Sequence, residues 1–268
     1  PMSNTIKLLD GKNYDKAELL EKMVDDEFYY GELNKLALSS SSLKLMLDSP
    51  KTYYYVTKYA KNETTPALRA GHLFHTAILE PEKYEKIKFI DVQSRNTKKF
   101  KEAKEHFGSE VFTAKERTDN ERLVDAMYKN PKAIELLGDC RTEVAAIGTI
   151  MGKPFRGKAD ILKNKGGGIV DLKTTVDVEN FSKSAFRYKY TLQAAIYCEL
   201  FSTPEKQLTH EDFTFLCIDK ANLDIGVWKC SEEFLEYGKL ELKRGIERYE
   251  TYIRPDFDIN DYTIQGTL

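Results

Sequence analysis

The chain has 268 residues, enough for one domain with a full core, or for a domain with an appended subdomain. With 41% hydrophobic and 31% charged residues it has a globular composition, and its longest apolar runs, 194–197 and 213–218, fall far short of the roughly 20 residues of a bilayer span. A formal net charge of −2 excludes a globally basic nucleic-acid binder and confines any such surface to a local patch.

Cys140, Cys198, Cys217 and Cys230 are far apart and form no CxxC pair, so zinc-ribbon and iron–sulfur spacings are absent. Reduced thiols and a cytoplasmic setting are the expectation. The start, PMSNTIKLLD, lacks a secretory h-region, and Pro1 before Met2 reads as a tag-removal scar.

In chain order, residues 15–28 have the pattern of a helix. Ser39 to Ser42 form an N-cap cluster ahead of apolar residues 43–47, and Ser49-Pro50 opens a helix through 59. Thr65-Pro66 starts a helix over 67–79, which Pro81 is expected to end. Helical spacing recurs over 98–106, 114–129 and 131–137. The period then changes: strands are expected at 142–151, 155–162 and 169–174, with turns at 152–154 and 164–168. A helix over 191–201, a hairpin of 213–219 and 223–229 turning at Ala221-Asn222, and a long amphipathic helix over 232–252 complete the chain. This order predicts an α/β fold with a mixed central sheet flanked by helices and a helical N-terminal region. One domain is expected over 1–268, divided into an extension (1–38), a mainly helical part (39–140), a sheet core (141–230) and a C-terminal helix and tail (231–268).

Asp160 and Asp171 fall on neighbouring strands of one meander, where two acids repel unless a cation lies between them. Hard oxygen ligands suit Mg²⁺ or Mn²⁺. Lys173, two residues after Asp171, shares its strand face, while Leu172 points into the core and leaves its carbonyl for the ion. An isolated D-x-K is usually a surface ion pair, but here Asp171 ends the apolar run GGGIVDLKTT, where a buried charge needs a partner. Gln193 and Tyr197 stand one turn apart on the helix that follows. The tyrosines at 53–55 read as core and helix packing, and Lys98, Lys99, Lys101 and Lys104 as a solvated helix face.

G-K-A-D, I-V-D-L-K-T-T and Q-A-A-I-Y in this order resemble the PD-(D/E)xK nuclease superfamily in its RecB-like branch, and Gly71-His72-Leu73-Phe74-His75 is similar to that branch's G-x-x-x-H motif. Together with LSSSSLKLMLDSPKTYYY, TPALRAGHLFHTAILEP and SRNTKKF, they make residues 38–228 similar to RecE-like (exonuclease VIII-type) phage and prophage exonucleases. The resemblance implies Asp160 and Asp171 as metal-binding acids, Lys173 as the catalytic lysine, and His75 with the Leu172 carbonyl as further ligands. It implies Glu143 as an acid that opens the core, and Gln193 and Tyr197 as a pair that supports the site or touches DNA. On physics alone His72 competes with His75, three residues away. The "PD" position is relaxed here to Ala159-Asp160.

What the resemblance implies is a metal-dependent 5′-to-3′ exodeoxyribonuclease with one or two Mg²⁺ (or Mn²⁺) ions. Such an enzyme degrades one strand of linear double-stranded DNA and leaves 3′ single strands for recombination. It also implies a homo-oligomeric ring (tetramer or trimer), a phage or prophage origin, a single-strand annealing protein (RecT-like) as candidate partner, and no membrane. Another RecB-like nuclease, cutting as an endonuclease or with opposite polarity, and a catalytically idle DNA-binding protein are the competing readings.

Overall fold

The structure is a computed structural model that describes residues 4–59, 64–108 and 110–268; Pro1 and Met2 lie outside the described residues. A small antiparallel pair, β1 (Thr5–Lys7) and β2 (Asn13–Asp15), opens the chain, followed by α1 (Lys16–Lys22) and α2 (Asp26–Tyr30). Next come α3 (Ser40–Asp48), α4 (Pro50–Tyr59), α5 (Pro66–Leu79) and α6 (Pro81–Glu85). A two-stranded parallel sheet of β3 (Lys88–Ile90) and β4 (Val111–Thr113) encloses α7 (Lys98–Phe107), and α8 (Ala114–Lys129) and α9 (Pro131–Leu137) follow. The central sheet takes β5 (Cys140–Ile150), β6 (Lys153–Lys163), β7 (Ile169–Thr175), β8 (Phe213–Asp219) and β9 (Ile225–Lys229) in sequential order. Between β7 and β8 run α10 (Phe181–Arg187) and α11 (Tyr190–Phe201), so those two strands are parallel and the other pairs antiparallel. Helix α12 (Glu232–Tyr252) closes the fold. The expected α/β architecture, a mixed central sheet flanked by helices, is what the chain adopts.

Side-chain caps set many of the helix starts. Ser39 and Ser42 form a reciprocal capping box at α3, Thr113 and Glu116 another at α8, and Thr65 caps α5 with Pro66 in its first turn. Each sheet face then buries its own apolar set. Ile169, Phe213, Phe215 and Cys217 pack with Leu43, Leu192, Ala195, Leu235 and Leu242 of α3, α11 and α12. Val170, Leu172, Leu216 and Ile218 pack with Phe74, Ile78, Leu123 and Met127 of α5 and α8. The N-terminal segment buries Ile6, Leu8, Leu19, Met23 and Leu33 against Ile147 of β5, and Leu38 bridges to Phe155.

The elements depart from the sequence expectation in several places, and β1 to β4 and α10 have no counterpart in it. The helix expected over 15–28 is two, because Asp25 caps a second start through Glu27 N–H. Pro81 ends α5 and also begins α6, a position where its missing N–H costs nothing. The turn between β5 and β6 is Met151-Gly152, both left-handed (φ 49° and 81°), so Lys153 and Pro154 already belong to β6. Strand β9 starts at Ile225, after Asp219 has tied the Ala221 and Asn222 N–H groups into the turn. The 53–55 tyrosines divide: Tyr53 is buried against Tyr249, while Tyr55 is exposed and stacks on Tyr59. Lys98, Lys99, Lys101 and Lys104 of α7 point to solvent, as expected. Among the described residues no helix is long and apolar enough to cross a membrane.

Candidate active site

The site begins where two strands part. β6 and β7 pair only at Ile161 with Val170 and Leu162 with Ile169, and then diverge. One step further in the same register Asp160 faces Asp171. The Leu172 N–H, left without a strand partner on that side, donates to Asp160 Oδ2 at 2.8 Å. On the other side of β6, Thr142 faces Ile161 and Val144 faces Ala159, which puts Glu143 opposite Asp160. The three acids Glu143, Asp160 and Asp171 thus form one row across three strands.

Two helices reach this row from opposite faces of the sheet. From α5, His75 donates through Nδ1 to the Gly71 carbonyl at 2.9 Å, which fixes the ring and turns Nε2 toward Asp160 Oδ2, 3.4 Å away. His72 is exposed and makes no such approach, so of the two only His75 reaches Asp160. From α11, Gln193 joins both members of the D-x-K: Lys173 Nζ donates to its Oε1 at 3.0 Å, and its Nε2 donates to Asp171 Oδ1 at 3.2 Å. Lys173 also lies 2.9 Å from Asp171 Oδ2 and 4.2 Å from the centre of the Tyr190 ring.

Burial sharpens these charges. Asp171 is 2% exposed, and its Oδ2, although ion-paired, accepts no well-formed hydrogen bond. Burial, with the Asp160 charge adding to it, pushes the Asp171 carboxyl up to about 6 despite Lys173. Asp160 is held below the usual carboxylate range: its own burial opposes this, but His75, Lys173 and the Leu172 N–H outweigh that burial. Burial works to lower His75, yet Asp160 and the Gly71 carbonyl raise it to about 9. Lys173 behaves alike, with Asp171 overcoming its burial and keeping the ammonium charged. Glu143 rises to about 7 through burial first, then the Asp160 and Glu80 charges. Its backbone is left-handed (φ 52°), an uncommon conformation for a side chain of this size.

The structure therefore brings Asp160, Asp171, Lys173, His75, Leu172 and Gln193 together, with Glu143 next in the row. Tyr197 is set apart. It is 8% exposed, and its hydroxyl donates to the Lys158 carbonyl at 3.2 Å, so it braces β6 from beneath and touches no open surface. Among the described residues no three His, Cys, Asp or Glu side chains converge as a ready-made ion cage. The donor set nonetheless fits a hard divalent cation: a half-buried and a buried carboxylate, the buried one with an oxygen lacking a hydrogen bond, and an imidazole whose second nitrogen is anchored.

Several neighbours escaped the sequence reading. Ser40, Ser41 and Lys44 of α3, with Tyr188, Lys189 and Tyr190, line a cleft of about 240 Å³ that ends on Lys173 and Gln193. Tyr190 precedes Gln193 by one helical turn, and Lys44 follows Ser40 and Ser41 at helical spacing. Those spacings were the available signal.

A solved structure from Eubacterium rectale, described as a "putative exonuclease", superposes with a TM-score of 0.62 over 91% of this chain and 95% of its own, at 16% identity. At that identity the likeness concerns the fold. A second solved structure is 13% identical over 76% of this chain and 84% of its own, with a TM-score of 0.29. No curated protein matches the sequence. The family model described as "PDDEXK-like domain of unknown function" (DUF3799) matches residues 39–256, which span α3 to the end of α12 and every residue of the cluster. The chain belongs to this PDDEXK-like family.

Proposed function

We propose that the chain is a metal-dependent nuclease that acts as a 5′-to-3′ exodeoxyribonuclease on linear double-stranded DNA and leaves 3′ single strands. The carrying observation is the linked cluster of Asp160, Asp171, Lys173 and Gln193, an acid pair sunk into the sheet with an ammonium held in place beside it. Nothing in the packing of β7 requires all of these charges, which cost desolvation unless they act on a ligand.

PDDEXK nucleases use divalent metal ions, and His75, Asp160, Asp171 and the Leu172 carbonyl would hold one here, with Glu143 toward a second. Mg²⁺ or Mn²⁺ suits these ligands. Such an ion supplies Lewis acidity toward water and the scissile phosphate. Lys173, locked by Gln193 and backed by the Tyr190 ring, presents a fixed positive charge to a phosphodiester and counters the negative charge that develops on it. Gln193 keeps that ammonium and the Asp171 carboxylate in register. The cleft of Ser40, Ser41, Lys44 and Lys189 beside Lys173 offers hydroxyl and ammonium donors to neighbouring backbone phosphates.

The polarity and the recombination role rest on the RecE-like resemblance of the motifs. So do a trimeric or tetrameric ring and an annealing partner. Linear duplexes labelled at the 5′ or 3′ end, and a closed circle, each incubated with Mg²⁺ or with EDTA, test this reading. Loss of the 5′ label as mononucleotides, with the circle intact and EDTA silent, is the expected result. Cutting of the closed circle makes the enzyme an endonuclease, and early loss of the 3′ label reverses the polarity. Asp171→Ala and Lys173→Ala should each reduce cleavage to background with an unchanged circular dichroism spectrum, and wild-type cleavage by either refutes the assignment.

A further inference from the structure

A cavity of about 610 Å³ lies away from the acid row. It lies between α5, α8, the segment Gln93 to Arg95 and the β8–β9 turn. Its α5 wall is Pro66, Arg69, Ala70 and Leu73. At about 100° per residue these lie roughly half a turn round the helix from Gly71 and His75, so α5 separates the cavity from the catalytic cluster.

The charges in this cavity are unevenly matched. Glu116 is occupied by Arg95, which donates to both of its oxygens at 2.7 and 3.0 Å, and Asp119 is occupied by Lys115 at 2.7 Å. Arg69 has no carboxylate closer than 4.0 Å, and its buried Nε has no hydrogen-bond partner, although Nη1 donates to the Thr64 carbonyl. Arg122 and Lys220 line the same space and, among the described residues, have no acidic partner within ion-pair distance. Three cationic side chains thus face one cavity with its carboxylates already taken.

A second feature is polar and buried. Asn120, 3% exposed, donates through Nδ2 to the Tyr84 hydroxyl, but its Oδ1 accepts nothing. Leu73, Leu123 and Leu223 supply apolar walls beside it. A ligand that satisfies all of this carries an anionic group at one end and a flat ring with an N–H donor at the other. Nucleotides have that form, and about 610 Å³ lies in the range of small-ligand sites. Both orphan atoms lie below the cavity surface, so a ligand pairs with them once the Arg69 and Asn120 side chains turn toward it, and it then removes the cost of leaving them without partners.

We propose that this cavity is a nucleotide-binding site distinct from the catalytic cluster, with the phosphate held by Arg69, Arg122 and Lys220 and the base directed at Asn120. The phosphate comes either from a free mononucleotide or from a strand of nucleic acid.

Calorimetric titration in EDTA, with dTMP and with a short single-stranded oligothymidylate as probes, tests the site without cleavage. Wild-type protein, the double variant Arg69→Gln/Lys220→Gln, the single variant Arg122→Gln and Lys173→Ala are compared at several salt concentrations. The double variant should bind at least one probe roughly tenfold more weakly, with the salt slope of oligonucleotide binding reduced by about 1.4, and Arg122→Gln should weaken it in the same direction. Loss with dTMP identifies a mononucleotide site; loss with the oligonucleotide alone identifies the strand backbone as the source. Arg122 is exposed on α8, so its substitution leaves folding intact and keeps the test valid should the double variant be unstable. The double variant should weaken dTMP binding more than Lys173→Ala does, which separates this site from the proposed cleavage centre. Absence of binding to wild-type protein, equal affinity in all Arg and Lys220 variants, or loss of binding in Lys173→Ala alone overturns the proposal.

Discussion

Gln193 makes the tightest structural argument at the scale of single residues, since one amide holds both Lys173 and Asp171. Gln193→Ala leaves those charges in place but unaligned, so cleavage should fall about 10- to 100-fold rather than vanish, with more Mg²⁺ needed for half-maximal rate. Initial rates across a Mg²⁺ series check this; an unchanged rate and Mg²⁺ requirement refutes it. Glu143 makes a second case through pH. Its carboxyl is raised to about 7 in the folded protein, chiefly by burial, so the folded state holds the proton more tightly than the unfolded one. The stability this contributes is fully present below about 4.5, the unfolded value, and is lost as pH rises through 7. Metal-free Glu143→Gln should therefore melt higher than the wild type at pH 8, by roughly 2–4 °C for a discounted gain of about 1 kcal/mol, and match it near pH 4. A thermal melt at both pH values in EDTA decides it.

At the scale of elements, the site depends on how closely α11 is clamped between the sheet and α12. A Cβ at Gly238 of α12 would lie 2.0 Å from the Thr191 carbonyl oxygen and 3.1 Å from the Ala195 side chain. Those neighbours are backbone and a short side chain, neither of which can swing away. Gly238→Ala should push the helices apart and cost about 1–3 kcal/mol, read as a lower urea midpoint at an unchanged m-value. Because Gln193 rides on α11, activity should fall by more than the stability loss accounts for. The glycine of the Gly71–His75 motif differs: a Cβ there would have ordinary contact, 3.8 Å from Thr174 Oγ1. What position 71 gives His75 is a backbone carbonyl, which every residue has.

At the scale of the whole molecule, the N-terminal segment is bound to the sheet next to the acid row. Lys158 of β6 is 9% exposed and pairs with Asp26 of α2 at 2.9 Å, over the Tyr29 ring. Asp26→Asn leaves that ammonium buried without a counter-charge, and because Asp26 is 45% exposed the cost should be about 1–2 kcal/mol rather than the full buried-pair value. Burial raises the Asp26 carboxyl, but Lys158 and Lys83 overrule it and hold it low. Its contribution is therefore present above about 4 and lost as pH falls through the folded value. Melting curves should separate wild type from Asp26→Asn at pH 7 and converge under acid; parallel curves at all pH values would contradict this.

Local chemistry made much of this protein legible in its sequence. Caps at Ser39, Thr65 and Thr113 act within three residues of themselves, strand alternation acts within two, and Asp171-x-Lys173 share a strand face by the same short-range rule. Those features depend on neighbours along the chain, so the α/β order and the D-x-K could be read before any packing was known. Tertiary structure alone decided the rest. The splay of β6 from β7, which sends the Leu172 N–H to Asp160, has no local signature. Nor does the approach of Gln193 to Lys173 across 20 residues. His75 and His72 look equivalent on a helical wheel until α5 is laid on the sheet and only one reaches Asp160. The cavity of Arg69, Arg122, Lys220 and Asn120 draws on three separate elements, because a buried orphan atom is defined only by everything packed around it.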